Sequence, residues 1–225
     1  MTDSHYFRCS TNNLYMGIAE RKEREKQQRR EEIIQAAEKV FFSKGFDQST
    51  MDDVAEQAEL SKGTLYLYFI SKEDLHMAVA RKAIRLLKDH TQVASEGEGS
   101  ALEKLGRMGR ACIEFSRAHP DHMKAIMTLE ELEPMALSAS TSDVQEMIYQ
   151  ESTVGTVIEL VEQGVREKVI RSDIPALLVA HTLWMTVLSV IRFVTMKHGL
   201  LEVLELSQDQ IFASHFELVL NGIRS

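Results

Sequence analysis

Residues 50–75 read TMDDVAEQAELSKGTLYLYFISKEDL, and the fold follows from how this stretch is punctuated. Thr50 with Asp53, and Ser71 with Asp74, have the spacing in which a hydroxyl and a carboxylate satisfy the free amides of a helix's first turn. After Thr50, the apolar residues Met51, Val54, Ala55 and Ala58 recur at the spacing of one helical face. Glu59-Leu60-Ser61 interrupts that pattern, and Lys62 to Phe69 resumes it with Leu65 and Phe69 inward. Two short helices joined by a three- or four-residue turn make a helix-turn-helix, whose second helix fits a DNA major groove.

Working outward, a first helix is expected from about Glu23 to Lys44, burying Ile33, Ile34, Ala37, Val40 and Phe41 and ended by Gly45 as a left-handed cap. Residues 1–20 show no periodicity and read as a flexible extension. A helix from Lys72 to about Thr91 completes a head over residues 21–91, and ASEGEGS at 94–100 reads as a linker. Residues 92–225 then form a second helical domain, with helices expected at 101–118, 121–132, 143–169, 175–198 and 207–221 and a loop near 133–141. Pro175 suits a first helical turn, and Gly222 suits a helix stop.

Composition supports an all-α chain. Only three prolines and eleven glycines occur in 225 residues, and no alternating β-branched run with hairpin chemistry stands out. The net charge of −8 argues against a nonspecific nucleic-acid binder until it is divided along the chain. Residues 21–90 hold 14 Lys/Arg against 13 Asp/Glu, whereas residues 91–225 hold 11 against 19, so the acid lies away from the head. Residues 20–32 interleave bases with Glu23, Glu25, Glu31 and Glu32, and read equally as a DNA-facing surface or a salt-bridged, solvated helix face. Cys9 and Cys112 give no framework of bridges, which suits a reducing cytoplasm. The apolar run Ile174 to Val194 contains Pro175, His181, Thr182, Thr186, Ser189 and Arg192, so a buried or interface helix fits better than a membrane span. His119-Pro120-Asp121-His122 reads as surface rather than a metal site, and no cofactor or catalytic motif is found.

The quoted stretch resembles the DNA-binding region of the tetracycline-repressor (TetR) family of bacterial regulators. The residues that carry the likeness are Val54-Ala55, Ala58, Ser61-Lys62-Gly63-Thr64-Leu65-Tyr66, Tyr68-Phe69 and Ser71-Lys72-Glu73-Asp74-Leu75. Upstream, Ile33, Ile34, Ala36-Ala37, Phe41-Phe42 and Gly45-Phe46 match the family's first helix and its glycine stop. Two positions depart from the pattern: Glu59 stands where the turn usually holds Gly, and Ile70 where a polar residue is commoner. A positive φ at Glu59 would cost about 1 kcal/mol.

The Ser61–Thr64 turn offers two hydroxyls, an ammonium and a bare backbone at the start of the reading helix. The resemblance implies base-edge contact by Lys62 and Thr64, and phosphate contact by Tyr66, Tyr68, Lys72 and Thr50. Ser61 and Thr50 are caps whatever else they do, while Lys62 and Lys72 have no packing duty legible in the sequence. The resemblance also implies a homodimer through helices 175–198 and 207–221, a palindromic double-stranded operator, and an effector cavity in the second domain. Met108, Phe115, Met127, Met147, Trp184 and Leu188 are its candidate lining, for a small apolar or amphipathic effector. The expected function is a non-enzymatic, cytoplasmic transcription regulator, most simply a repressor released by its effector. The alternatives are a DNA-binding or chromosome-organising protein without an effector, and a helical ligand-binding domain that has lost DNA binding.

Overall fold

The computed structural model describes residues 9–131 and 150–225, and the described residues are helical with no strand beyond one isolated bridge. In chain order the helices are α1 (Cys9–Lys44), α2 (Met51–Gln57), α3 (Lys62–Tyr66), α4 (Lys72–Ser95), α5 (Ala101–Ala118), α6 (Pro120–Glu131), α7 (Thr153–Arg166), α8 (Ala176–Met196), α9 (His198–Val203) and α10 (Gln208–Ile223). The all-α expectation holds. Contacts divide the chain into two compact units, one ending at Val79 and the other starting at Ala80, so the division falls inside α4.

In the first unit, Ile33, Ile34, Ala37, Val40 and Phe41 of α1, Val54 and Ala55 of α2, Leu65 and Phe69, and Leu75 and Val79 of α4 are all buried. The Arg30 guanidinium lies 4.6 Å from the Phe69 ring centroid, closing this core on one side. α1 begins at Cys9, earlier than the start near Glu23 expected from the sequence. Residues 17–29 of α1 are exposed, so no buried apolar stripe marks them. Arg21 pairs with Glu25, Arg29 with Glu32 and Gln27 with Glu31 along the exposed surface instead.

Lys72 is the main surprise. Its ammonium donates to the Phe46 carbonyl at 3.0 Å and the Ser49 carbonyl at 3.1 Å, and lies 4.4 Å from the Phe46 ring centroid. The lysine expected to be free of packing duty is therefore bolted to the loop between α1 and α2.

Glu59 has φ of 55°, the left-handed conformation. Its amide donates to the Glu56 carbonyl at 3.1 Å and the Leu60 amide to the Ala55 carbonyl at 2.9 Å, the two bonds of a Schellman stop. Lys168 after α7 and Glu205 after α9 repeat this geometry at φ of 60° and 53°. The stop at Lys168 ends α7 at Arg166, before the expected Val169, and the first part of that expected helix lies outside the described residues.

The second unit centres on Leu102, Leu105, Met108, Val157, Leu160, Val161, Ile170, Val179 and Ala180, from α5, α7, α8 and the turn at Ile170. Phe216 of α10 sits so close to Gly109 of α5 that a Cβ there would lie 2.3 Å from the ring. Two further boundaries differ from expectation. Pro175 has ψ of 136° and precedes α8 instead of entering its first turn, and α10 runs through Gly222 to Ile223. The C-terminus is tied down where the Arg171 amide donates to the Ile223 carbonyl at 2.9 Å.

Two outcomes follow. Glu59→Gly removes the strained side chain, so chemical denaturation should show the protein more stable by about 0.5–1 kcal/mol. The second concerns His76, which is buried with its ring centroid 4.3 Å from Phe46 and 5.9 Å from Phe41, and whose Nδ1 has no hydrogen-bond partner. Burial, and then the charge of Lys72, lower its proton affinity below the ordinary value, against a smaller opposing effect of Glu73. The unfolded chain takes up the proton at the ordinary value of 6.5 while the folded head resists it. Stability is therefore highest above that value and declines as pH falls from it toward the lower folded value. Burial also lowers the proton affinity of His215, which acts in the same direction. Denaturation midpoints measured across this window should fall less steeply in His76→Leu than in the unmodified protein.

Candidate nucleic-acid interface and effector cavity

The caps that start α2 and α3 form as the sequence requires. The Asp53 amide donates to Thr50 Oγ1 at 3.1 Å and the Thr50 amide donates to Asp53 Oδ2 at 2.9 Å, a reciprocal capping box. Lys44 Nζ adds an ion pair to Asp53 at 2.6 Å. The Lys44 hydrogen bond first, then those from the Thr50 hydroxyl and amide, hold the Asp53 carboxyl down at about 2. It therefore stays ionised, with the box intact, at any physiological pH. Ser61 caps α3 by accepting the Thr64 amide at 3.1 Å.

Around these caps, Thr50, Ser61, Lys62, Gly63 and Tyr66 are exposed, and Thr64 and Tyr68 are half-buried. Leu65 and Phe69 point into the core, so α3 turns its opposite side outward. Lys62 Nζ pairs with Asp52 of α2 at 2.8 Å, which raises the affinity of the lysine for its proton. The Thr64 hydroxyl lies 2.8 Å from that of Ser61. Both candidate base-reading groups are thus held by exposed intramolecular partners that a ligand can displace at small cost. Asp52, two residues into α2, is the partner that spacing alone did not reveal. Gly63 has negative φ, and a Cβ built there would meet only Ser61 Oγ, at 4.0 Å. The protein's own packing therefore gives no reason for its missing side chain. Lys72 stands apart from this group, its ammonium already directed at carbonyls. Ile70, standing where a polar residue is commoner, is 73% exposed.

In the second unit, α5, α7, α8 and α10 line a partly open cavity of about 60 Å³. Met108 and Trp184 line it, together with residues the sequence reading did not single out, notably Cys112, Thr153, His215 and Phe216. Phe115, one turn beyond Cys112 on α5, is covered instead by the His90 and His119 rings, with centroids 5.7 Å and 4.9 Å away. Met127 lies elsewhere, its carbonyl accepting from Arg192 at 3.4 Å. Leu188 lines a separate open groove with Met185, Arg192 and Phe193. Phe115, Met127 and Leu188 are therefore not part of this cavity's lining, and Met147 lies outside the described residues. The stripe Leu105, Met108, Gly109, Cys112 was the signal that could have found the α5 wall. Burial pushes the Cys112 thiol up to about 12, which keeps it protonated and inert. Among the described residues no group of three or more His, Cys, Asp or Glu could hold a metal ion.

The sequence of this head is found elsewhere. Residues 33–79 match the family model described as bacterial regulatory proteins, tetR family. The uncharacterized HTH-type transcriptional regulator YhgD of Bacillus subtilis is 29% identical over 151 residues, which cover 66% of this chain and 75% of that protein. The HTH-type transcriptional regulator TtgR of Pseudomonas putida is 32% identical over 97 residues, covering 43% of this chain and 45% of TtgR. The fold is shared with a TetR family transcription regulator from Marinobacter aquaeolei VT8, at a TM-score of 0.65 and 16% identity over 90% of this chain and 99% of the other. With its capped α2–α3 pair, the head of this chain carries the DNA-binding domain of the tetR family of bacterial regulatory proteins.

Proposed function

We propose that the protein is a cytoplasmic, homodimeric repressor that reads a palindromic operator through α3 and releases it when a small molecule enters the cavity of the second unit. The observation that carries this reading is the surface of α3. Lys62, Gly63 and Tyr66 face outward beside Thr64 while Leu65 and Phe69 anchor the helix from below. Lys62 and Thr64 would exchange Asp52 and Ser61 for base edges, and Thr50, Tyr66 and Tyr68 would contact phosphates.

Dimerisation is supported by α8 and α10. Val179, Val187, Ile191 and Val194 of α8 are buried within its own unit, yet Leu178, Met185 and Met196 form a second apolar stripe in which Met196 is 72% exposed. α8 is also long and apolar enough to cross a membrane. A partner subunit is the better account of its exposed stripe, because Thr182, Ser189 and Arg192 share that side. Leu218 of α10, 73% exposed, extends the apolar surface. Two-fold pairing there would present two α3 helices to successive major grooves.

The cavity favours an effector-responsive regulator over an effector-less DNA-binding protein. Thr153, in its wall, lies 3.1 Å from the buried hydroxyl of Thr91 on α4. Arg81 and Arg85 of the same helix pair with Glu151 at 3.1 Å and 3.4 Å. α4 continues from there to Lys72 in the head, so a ligand that shifts α7 would bias the position of α4 and the spacing of the two heads.

Selection of bound sequences from a random DNA pool should return a palindrome, and a pool in which nothing is enriched would overturn the reading. On that site Lys62→Ala should weaken binding by about 1–3 kcal/mol and leave the denaturation midpoint nearly unchanged. Lys72→Ala should lose stability, since it leaves two loop carbonyls without their donor.

A further inference from the structure

The cavity between α5, α7, α8 and α10 has no charged group in its described lining. Its walls are Leu, Val, Phe and Met side chains and the backbone of Gly109, and polar atoms come from Cys112, Thr153, Trp184 and His215. The Cys112 thiol is protonated, and the Thr153 hydroxyl is within hydrogen-bond distance of Thr91. Burial lowers the proton affinity of His215, so its imidazole is neutral at neutral pH. Residues 132–149 contain no Lys, Arg or His, so that stretch of sequence supplies no cation either. An ionised carboxylate placed here would lose its water and gain no counter-charge, a penalty that apolar contacts do not recover.

We propose that this cavity takes a small neutral molecule, apolar over most of its surface, with one hydroxyl or carbonyl for His215, and that it rejects ionised carboxylates. The inference rests on reading the cavity as the effector site. The space of about 60 Å³ is well below the roughly 150 Å³ that admits benzene to a dry engineered cavity. A ligand of six to eight heavy atoms therefore requires the wall to adjust, and the unbranched Met108 is suited to that.

Trp184 is the chain's one tryptophan and lines the cavity, so its fluorescence reports occupancy without any DNA. The full-length protein would be titrated at neutral pH with two matched pairs, 1-hexanol against hexanoate and benzyl alcohol against benzoate. The alcohols should change the Trp184 signal saturably, with affinities about a hundredfold or more beyond those of the carboxylates. His215→Leu should weaken the alcohols about tenfold and leave toluene unaffected. Carboxylates that bind as tightly as the alcohols would overturn the proposal, and so would the absence of saturable binding by either alcohol. Operator affinity is read separately in the same solutions. Alcohols that occupy the cavity yet leave operator binding unchanged would refute the regulatory reading while the ligand chemistry stands.

Discussion

The head depends on one buried-side contact, the ammonium of Lys72 against the carbonyls of Phe46 and Ser49 and the face of the Phe46 ring. The loop between α1 and α2 leaves carbonyls that no helix satisfies, and a lysine from the first residue of α4 meets them. The contact fixes the start of α4 to the residues that lead into the capping box of α2. Below it, Phe41, Phe46 and His76 form an aromatic cluster that fills the space behind Lys72. The surface of α3 is exposed because everything beneath it is held in this way. A reading helix of five residues has too few internal hydrogen bonds to define its own direction.

The second half of α4 is held as firmly, by different means. Glu151 accepts both Arg81 and Arg85, Lys88 donates to the Gln150 carbonyl, and the Thr91 and Thr153 hydroxyls meet in a buried contact. Polar contacts of this kind have discrete alternatives, unlike the close-packed apolar core around Val161 and Ala180. The wall of the cavity and the anchorage of α4 share Thr153. Under the proposed function, that shared residue is where occupancy of the cavity would act on α4.

Much of this was legible in the sequence because it is encoded locally. The caps at Thr50, Ser61 and Ser207 are short-range hydroxyl signals, and each starts its helix within a residue of the expected place. The core positions of α2, α3 and α4 follow from apolar spacing, and the Glu59 turn from an acid standing where glycine is usual. What failed depended on distance along the chain. Lys72 finds its acceptors 23 and 26 residues upstream, and they are backbone carbonyls, which leave no mark in composition. Phe115 and Met108 lie on one face of α5, yet Met108 lines the cavity while Phe115 sits against the rings of His90 and His119. Residues 17–22 of α1 went unread because they are all exposed and leave no buried stripe.

The central claim is that ligand and operator select different arrangements of two heads in one dimer. It is tested most directly by the distance between spin labels at Gln57→Cys in the two subunits, with Cys9 and Cys112 replaced by serine and alanine. Gln57 is exposed at the end of α2, so a label there follows the head. The account predicts a single narrow distance on the operator, a different distance with effector bound, and both populations in the free protein. Identical distances with operator and with effector, while operator affinity falls, would contradict it, as would the absence of any dipolar coupling between subunits.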